Sequence, residues 1–404
     1  MPPSRLMPSA LSSLSSIDVS NVFVYVGDAV RWDYTPEVVS NRGLTCKTIA
    51  ASIHSPTSFA SLVTGHHPPK HGVDEFTNQI PTDVDRVFDL RGFQTRFVNS
   101  VRDQTSGTDP LFSVLDIDPP SIDDAFEGVE EPFFVVERGP GGHAPYGDFD
   151  GSAWEYFESR GNQSARRFQA EYTTSVGRDA SQFTSRLEEL ADRDVLEDTL
   201  VVYTSDHGEL LGERGLLGHN GPMHPALVEV PTVFIHPDLP SCRPSKGVFR
   251  HVDLFPTVLG ALDNQAPPVD GRCIQRDGLA SNGPSFYRSS LPTGSIPGCT
   301  GSLSYEGVWD SNGGHVFART PTPERLVAIV GTALKSPKRA YYRANAPKAI
   351  RTYLERQRTY GTPSTSVTEA KTHLESIRRN GSGGQSISLS ETQREQLEDL
   401  GYLS

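Results

Sequence analysis

The sequence predicts an α/β protein: a mostly parallel central sheet flanked by helices, with a small antiparallel subdomain toward the C-terminus. Three observations carry this. Short continuous apolar runs recur at residues 22–27, 133–136, 200–204 and 231–235, as strands covered on both faces require. Between two of them, Phe168, Tyr172, Val176, Ala180, Phe183, Leu187 and Leu190 recur every three or four residues and line one face of a long helix. Strand, helix and strand in that order make a parallel crossover. Beyond residue 301 the apolar pieces become short and alternate with turn residues, which is the pattern of antiparallel pairing.

Taken in order, residues 1–17 are rich in Ser and Pro and are expected to be disordered. Residues 18–290 form the main domain, with a short helix at 253–262 and an irregular Pro/Gly/Ser-rich connection at 264–301. Residues 291–365 are expected to be a small α+β subdomain, with strand-like pieces at 307–310, 315–319, 325–330 and 340–343. Residues 366–404 are a linker, flexible around 380–390, and a terminal amphipathic helix at 392–403.

Composition narrows the function. The 404 residues carry a net charge of −13, which argues against nucleic-acid or anionic-membrane partners. Of the 37 basic residues only seven are lysines. Acid excess with little Lys suits a halophilic-like acidic protein kept soluble in high salt, and GC-rich codon usage accounts for it equally well. The four cysteines form no CxxC pair, so a Cys-rich zinc site is not expected and reduced thiols are. No apolar stretch reaches membrane-spanning length and no leader is apparent. A cytoplasmic protein is the expectation.

In an open parallel sheet, ligands bind beyond the carboxyl ends of the strands. Asp28 follows the first run, Asp206-His207-Gly208-Glu209 follow the run at 200–204, and Glu137-Arg138, then Gly141-Gly142-His143, follow the run at 133–136. Two Asp and a His converging on one rim offer oxygen ligands and one nitrogen to a hard cation. A lone Asp there would be no more than a helix cap. Ser55 stands at the start of a helical stretch, where free N–H groups favour a developing oxyanion, and it can also be a plain cap.

Several segments in register resemble the sulfatase family of the alkaline phosphatase superfamily. VFVYVGDAVRWD is similar to the family's first strand and metal Asp, and SPTSFASLVTGHHPPKHGV to its nucleophile signature. GGHAPYGDF is similar to its substrate-binding stretch, and LVVYTSDHGELLGERGLLGH to its second metal block. Val230-Pro231, His251-Val252-Asp253-Leu254-Phe255-Pro256-Thr257 and the closing Leu400-Gly401-Tyr402-Leu403 are further landmarks. The resemblance spans roughly residues 20–270 and implies an alkaline-phosphatase-like fold. It implies that Asp28, Asp206 and His207 bind one divalent cation, Ca2+, Mg2+ or Mn2+. Ser55 would be the nucleophile, with Thr57 or Ser58 as alternatives, and His143 and His219 would face the substrate and leaving group. Arg96 or Asn99 could stand in for a missing basic substrate-binding residue, while Arg31 and Asp33 read as structural.

The departures shape the expected chemistry. The family's second Asp is Ala29, so metal binding should weaken unless Asp206 uses both oxygens. Formylglycine formation needs Pro or Ala two residues after the nucleophile and Arg four after it. Thr57 and Phe59 stand there, so Ser55 is expected to remain a plain hydroxyl, which leans toward phosphate chemistry. The implied function is metal-dependent hydrolysis of sulfuric or phosphoric esters, phosphodiesters included, on a small-molecule or glycan substrate, through a covalent intermediate. The alternatives are a phospho-substituent transferase acting on glycans or lipids, and a non-catalytic member. Oligomeric state is not legible.

Overall fold

A computed structural model describes residues 10–101, 109–119, 124–293, 299–379 and 384–399. Its centre is a seven-stranded sheet in the order Phe249–Arg250, Leu44–Ile49, Glu229–Ile235, Thr199–Ser205, Asn21–Gly27, Phe133–Gly139, Gln94–Asn99. Glu229–Ile235 runs antiparallel to both its neighbours, and the other pairings are parallel. The predicted mostly parallel sheet is therefore present, with one antiparallel strand in it.

Alternation along the strands builds two layers. Val22, Val24 and Val26 point to one face and pack with Phe59, Leu62 and Val63 of the helix Ser55–Thr64 and with Leu254 and Val258 of the helix Leu254–Ala261. Phe23 and Tyr25 point to the other, against Ala180, Phe183 and Leu187 of the helix Ala165–Asp192. The register matters most for function. Gly27 is level with Gly139 on one side and with Ser205 on the other. Asp28 and Asp206 therefore leave adjacent strands at the same height, on one rim.

A second, four-stranded antiparallel sheet follows: Gly283–Ser290, Ser302–Asp310, Gly313–Ala318 and Gln357–Gly361. Its first strand begins inside the segment read as an irregular connection. The strand is anchored to the main domain by Phe286 N–H donating to Ala51 O at 2.8 Å and Ser285 Oγ donating to Ala50 O at 2.5 Å.

The strand-like pieces at 325–330 and 340–343 are helical, within Thr322–Leu334 and Arg339–Ala344. The first misleads because its outer face is apolar: Leu326, Val327, Val330 and Leu334 are exposed while Glu324 and Arg325 are buried. Residues 10–17 are not disordered. They form the turn Ser12–Ser15 with Leu14 and Ile17 buried in the core. The tail returns to the main domain, where Gln385–Ser386 pairs with Asn78–Gln79 and the helix Glu391–Asp399 buries Leu397. The landmark at 400–403 lies outside the described residues.

Candidate active site

Asp28, Asp206 and His207 converge at the rim, all buried, with one ligand atom from each within 4.8 Å of the others. His207 Nε2 lies 4.0 Å from Asp28 Oδ1 and 3.5 Å from Asp206 Oδ2. Neither carboxylate oxygen has a hydrogen-bond donor, an arrangement that costs free energy unless a cation is bound. The tautomer of His207 agrees. Its Nδ1 lies 2.9 Å from Gly208 O, which can only accept, so the proton is on Nδ1 and the Nε2 lone pair faces the carboxylates. The donor set fits a divalent cation.

The other oxygen of each carboxylate is in use. Asp206 Oδ1 accepts from the N–H groups of Ala29 at 3.0 Å and His207 at 2.9 Å, so Asp206 offers one oxygen, not two. Ala29 therefore contributes its backbone where a second Asp side chain was missed, and it does so in the left-handed region at φ 59°. Asp28 Oδ2 accepts from Arg138 Nη2 at 2.5 Å. Burial pushes the Asp28 carboxyl up, but Arg138, His143 and His207 together outweigh it and hold the pKa lowered. The Asp206 carboxyl is raised by burial despite His207.

Ser55 Oγ lies 3.2 Å from His207 Nε2, at the first residue of its helix. Its two rivals turn away: Thr57 Oγ1 donates to Asp74 O at 3.0 Å and Ser58 Oγ to Ser52 O at 3.1 Å. Ser61 and His71 form a second Ser–His pair at 3.0 Å. There His71 Nδ1 accepts from Val73 N–H, so Nε2 carries the proton and cannot act as a base.

His143 and His219 complete the cluster. The His219 ring stands 4.4 Å from His207 and 5.1 Å from His143, centroid to centroid. The loop that delivers His143 presses on Asp28: Gly142 N–H donates to Asp28 O at 2.7 Å, and a Cβ on Gly141, at φ 57°, would lie 1.8 Å from that oxygen. Burial pushes the His143 imidazole down to about 4 and holds His219 well below the usual imidazole range, with His207 and His143 adding to the latter.

Sequence reasoning placed Arg96 at the substrate. The structure corrects this. Arg96 sits in mid-strand, level with Val135, and donates to Asp124 O and Glu127 O, away from the rim. Asn99 ends the same strand, and its Oδ1 accepts from Val101 N–H. Arg31 pairs with Asp33 and Glu213, the structural role read for it.

Three groups at the site had been missed. Arg138 bridges Asp28 and Asp109; its place at a strand end was the available signal. Glu209 Oε2 lies 3.1 Å from His219 Nδ1, and burial pushes its carboxyl up to about 7. Lys338 enters from the C-terminal subdomain, its Nζ 4.8 Å from the Phe157 ring centre, where a Cβ on Gly218 would lie 2.0 Å from it. Burial lowers the Lys338 pKa while Glu209 pulls it up. Nothing in the sequence pointed to Lys338.

A protein-family model described as "Sulfatase" matches residues 120–264. The low-salt glycan biosynthesis sulfotransferase Agl7 of Haloferax volcanii is 30% identical over 417 residues, covering 95% of this chain and 96% of that protein. Among solved structures, a putative sulfatase from Bacteroides thetaiotaomicron aligns with a TM-score of 0.58 at 14% identity, over 83% of this chain and 92% of that one. The phosphonate monoester hydrolase of Agrobacterium radiobacter aligns with a TM-score of 0.54 at 13% identity, over 87% and 98%. The two structures share the alkaline-phosphatase-like fold with this chain. With a relative matched along nearly the whole length and the ligand cluster on the expected rim, the chain belongs to the sulfatase family.

Proposed function

We propose that the chain is a metal-dependent hydrolase that takes the phosphoryl or sulfuryl group of an anionic ester onto the Ser55 hydroxyl and passes it to water. The observation that carries this is Ser55 Oγ, 3.2 Å from His207 Nε2, which itself lies 4.0 and 3.5 Å from two buried carboxylate oxygens with no donor. A divalent cation held by Asp28, Asp206 and His207 would neutralise ester oxygens and acidify a neighbouring hydroxyl.

The chain's own groups do the rest. The helix N-terminus adds partial positive charge around Ser55. Ser55 Oγ forms a bond to phosphorus or sulfur as the ester oxygen departs with the bonding pair, and the Ser55 hydroxyl proton passes by way of a neutral imidazole, His143 or His219, to that departing oxygen. His143 and His219 are neutral in their buried setting. An anionic ester raises their proton affinity, so one of them can deliver a proton to the departing oxygen. Water then attacks the serine ester, one of its protons passing by the same imidazole to Ser55 Oγ as that bond breaks and the other staying on the released group. Thr57 and Phe59 do not suit formylglycine formation, and a plain serine favours phosphate esters.

One observation favours a second reading. The near-full-length relative is named a glycan biosynthesis sulfotransferase, and a sugar hydroxyl in place of water would make this chain a transferase. Acid quenching during turnover of para-nitrophenyl phosphate or sulfate with Mn2+ tests both. The Ser55 peptide should gain about 80 mass units, and a sugar acceptor should divert the group only under the second reading. Full turnover by Ser55→Ala would overturn both.

A further inference from the structure

The carboxylates of the metal cluster are each reduced to one available oxygen, by different means. Asp206 is restricted by two backbone N–H groups. Asp28 is restricted by a side chain, Arg138, whose Nη2 lies 2.5 Å from Oδ2, with both residues 1% exposed. Arg138 is itself held: Nη1 lies 3.3 Å from Asp109 Oδ2, and the guanidinium sits 5.9 Å over the Phe59 ring. Asp109 is fixed in turn as the cap of the helix Pro110–Leu115, where Oδ1 accepts from Leu111 N–H at 2.9 Å. A helix packed on the Ser55–Thr64 helix thus anchors a permanent cation behind a carboxylate of the cluster.

We propose that Arg138, anchored by Asp109, is a positioning residue that confines Asp28 to a single donor oxygen and so keeps the bound cation exchangeable and open to the ester. The proposal rests on the reading above that Asp28, Asp206 and His207 hold a divalent cation. A carboxylate with both oxygens free chelates through both, and a guanidinium beside the ion repels it. Both restraints vanish with Arg138. Removing a hydrogen-bonded partner of a metal ligand ordinarily weakens metal binding. The sign is reversed here because the partner is a cation competing for the same carboxylate.

The test uses the full chain and Mn2+, with free ion measured by electron paramagnetic resonance. Arg138→Met should bind Mn2+ on the order of tenfold more tightly than wild type while ester turnover falls. Arg138→Lys, which keeps the charge, should restore wild-type Mn2+ affinity. Asp109→Asn, which only loosens Arg138, should shift affinity and turnover in the same directions by less. Unchanged or weaker Mn2+ binding by a folded Arg138→Met overturns the proposal. If that variant does not fold, unchanged or weaker binding by Asp109→Asn does so. Wild-type protein that binds no Mn2+ overturns the metal reading itself, a different failure.

Discussion

On the proposed function, Ser55 and the three residues that would hold the cation divide two tasks, and substitution should separate them. Ser55→Ala removes the proposed nucleophile and leaves Asp28, Asp206 and His207 in place. Turnover should fall by about 1,000-fold or more with Mn2+ affinity nearly unchanged. Asp206→Asn should instead lose metal binding, and turnover with it, as a melting experiment reads. Saturating metal at about a hundred times Kd stabilises wild-type protein by about 2.7 kcal/mol, and that gain should disappear in the variant. The convergence of these four residues was legible in the sequence because each follows a strand or starts a helix. Arg96 was misplaced because a run of residues does not reveal which face a mid-strand side chain takes. Arg138 was passed over because its significance lies in partners far apart in sequence, Asp28 and Asp109.

At the scale of elements, the helix Ala165–Asp192 does more than cover the sheet. Asp179 on its buried face accepts from Tyr25 and Tyr203 hydroxyls at 2.9 and 2.8 Å and from Gly141 N–H at 2.8 Å, pinning the loop that carries His143. Burial pushes the Asp179 carboxyl up to about 6 from an ordinary 3.8, despite those bonds. A folded pKa above the unfolded one contributes stability that is full in acid and lost as pH rises through the folded value. The stability of wild type relative to Asp179→Asn should therefore drop by about 2 kcal/mol between about pH 4 and pH 7, read by urea denaturation. Phe183 packs at 5.3 Å on Tyr25 and 5.0 Å on Tyr203. Phe183→Ala should cost about 3–5 kcal/mol in the same assay.

The helix was legible from its regular apolar face. The direction of Glu229–Ile235 was not, because an apolar run reads the same whichever way the strand runs. The helix Thr322–Leu334 was hidden by apolar residues on its exposed side.

At the scale of the molecule, a net charge of −13 means self-repulsion that salt should relieve. The melting temperature should rise between about 0.1 M and 2 M KCl, where the screening length shrinks below about 3 Å. A flat response would remove the case for a high-salt setting and leave codon usage as the account of the missing lysines. Among the described residues no helix is long and apolar enough to cross a membrane.

The placement of Lys338 carries a further consequence. Its ammonium reaches the Glu209–His219 pair from a segment outside the main sheet, and glycine at 218 is what makes room for it. The candidate site therefore draws on both parts of the chain, and replacing Lys338 would change the charge beside His219 without touching Ser55, Asp28, Asp206 or His207.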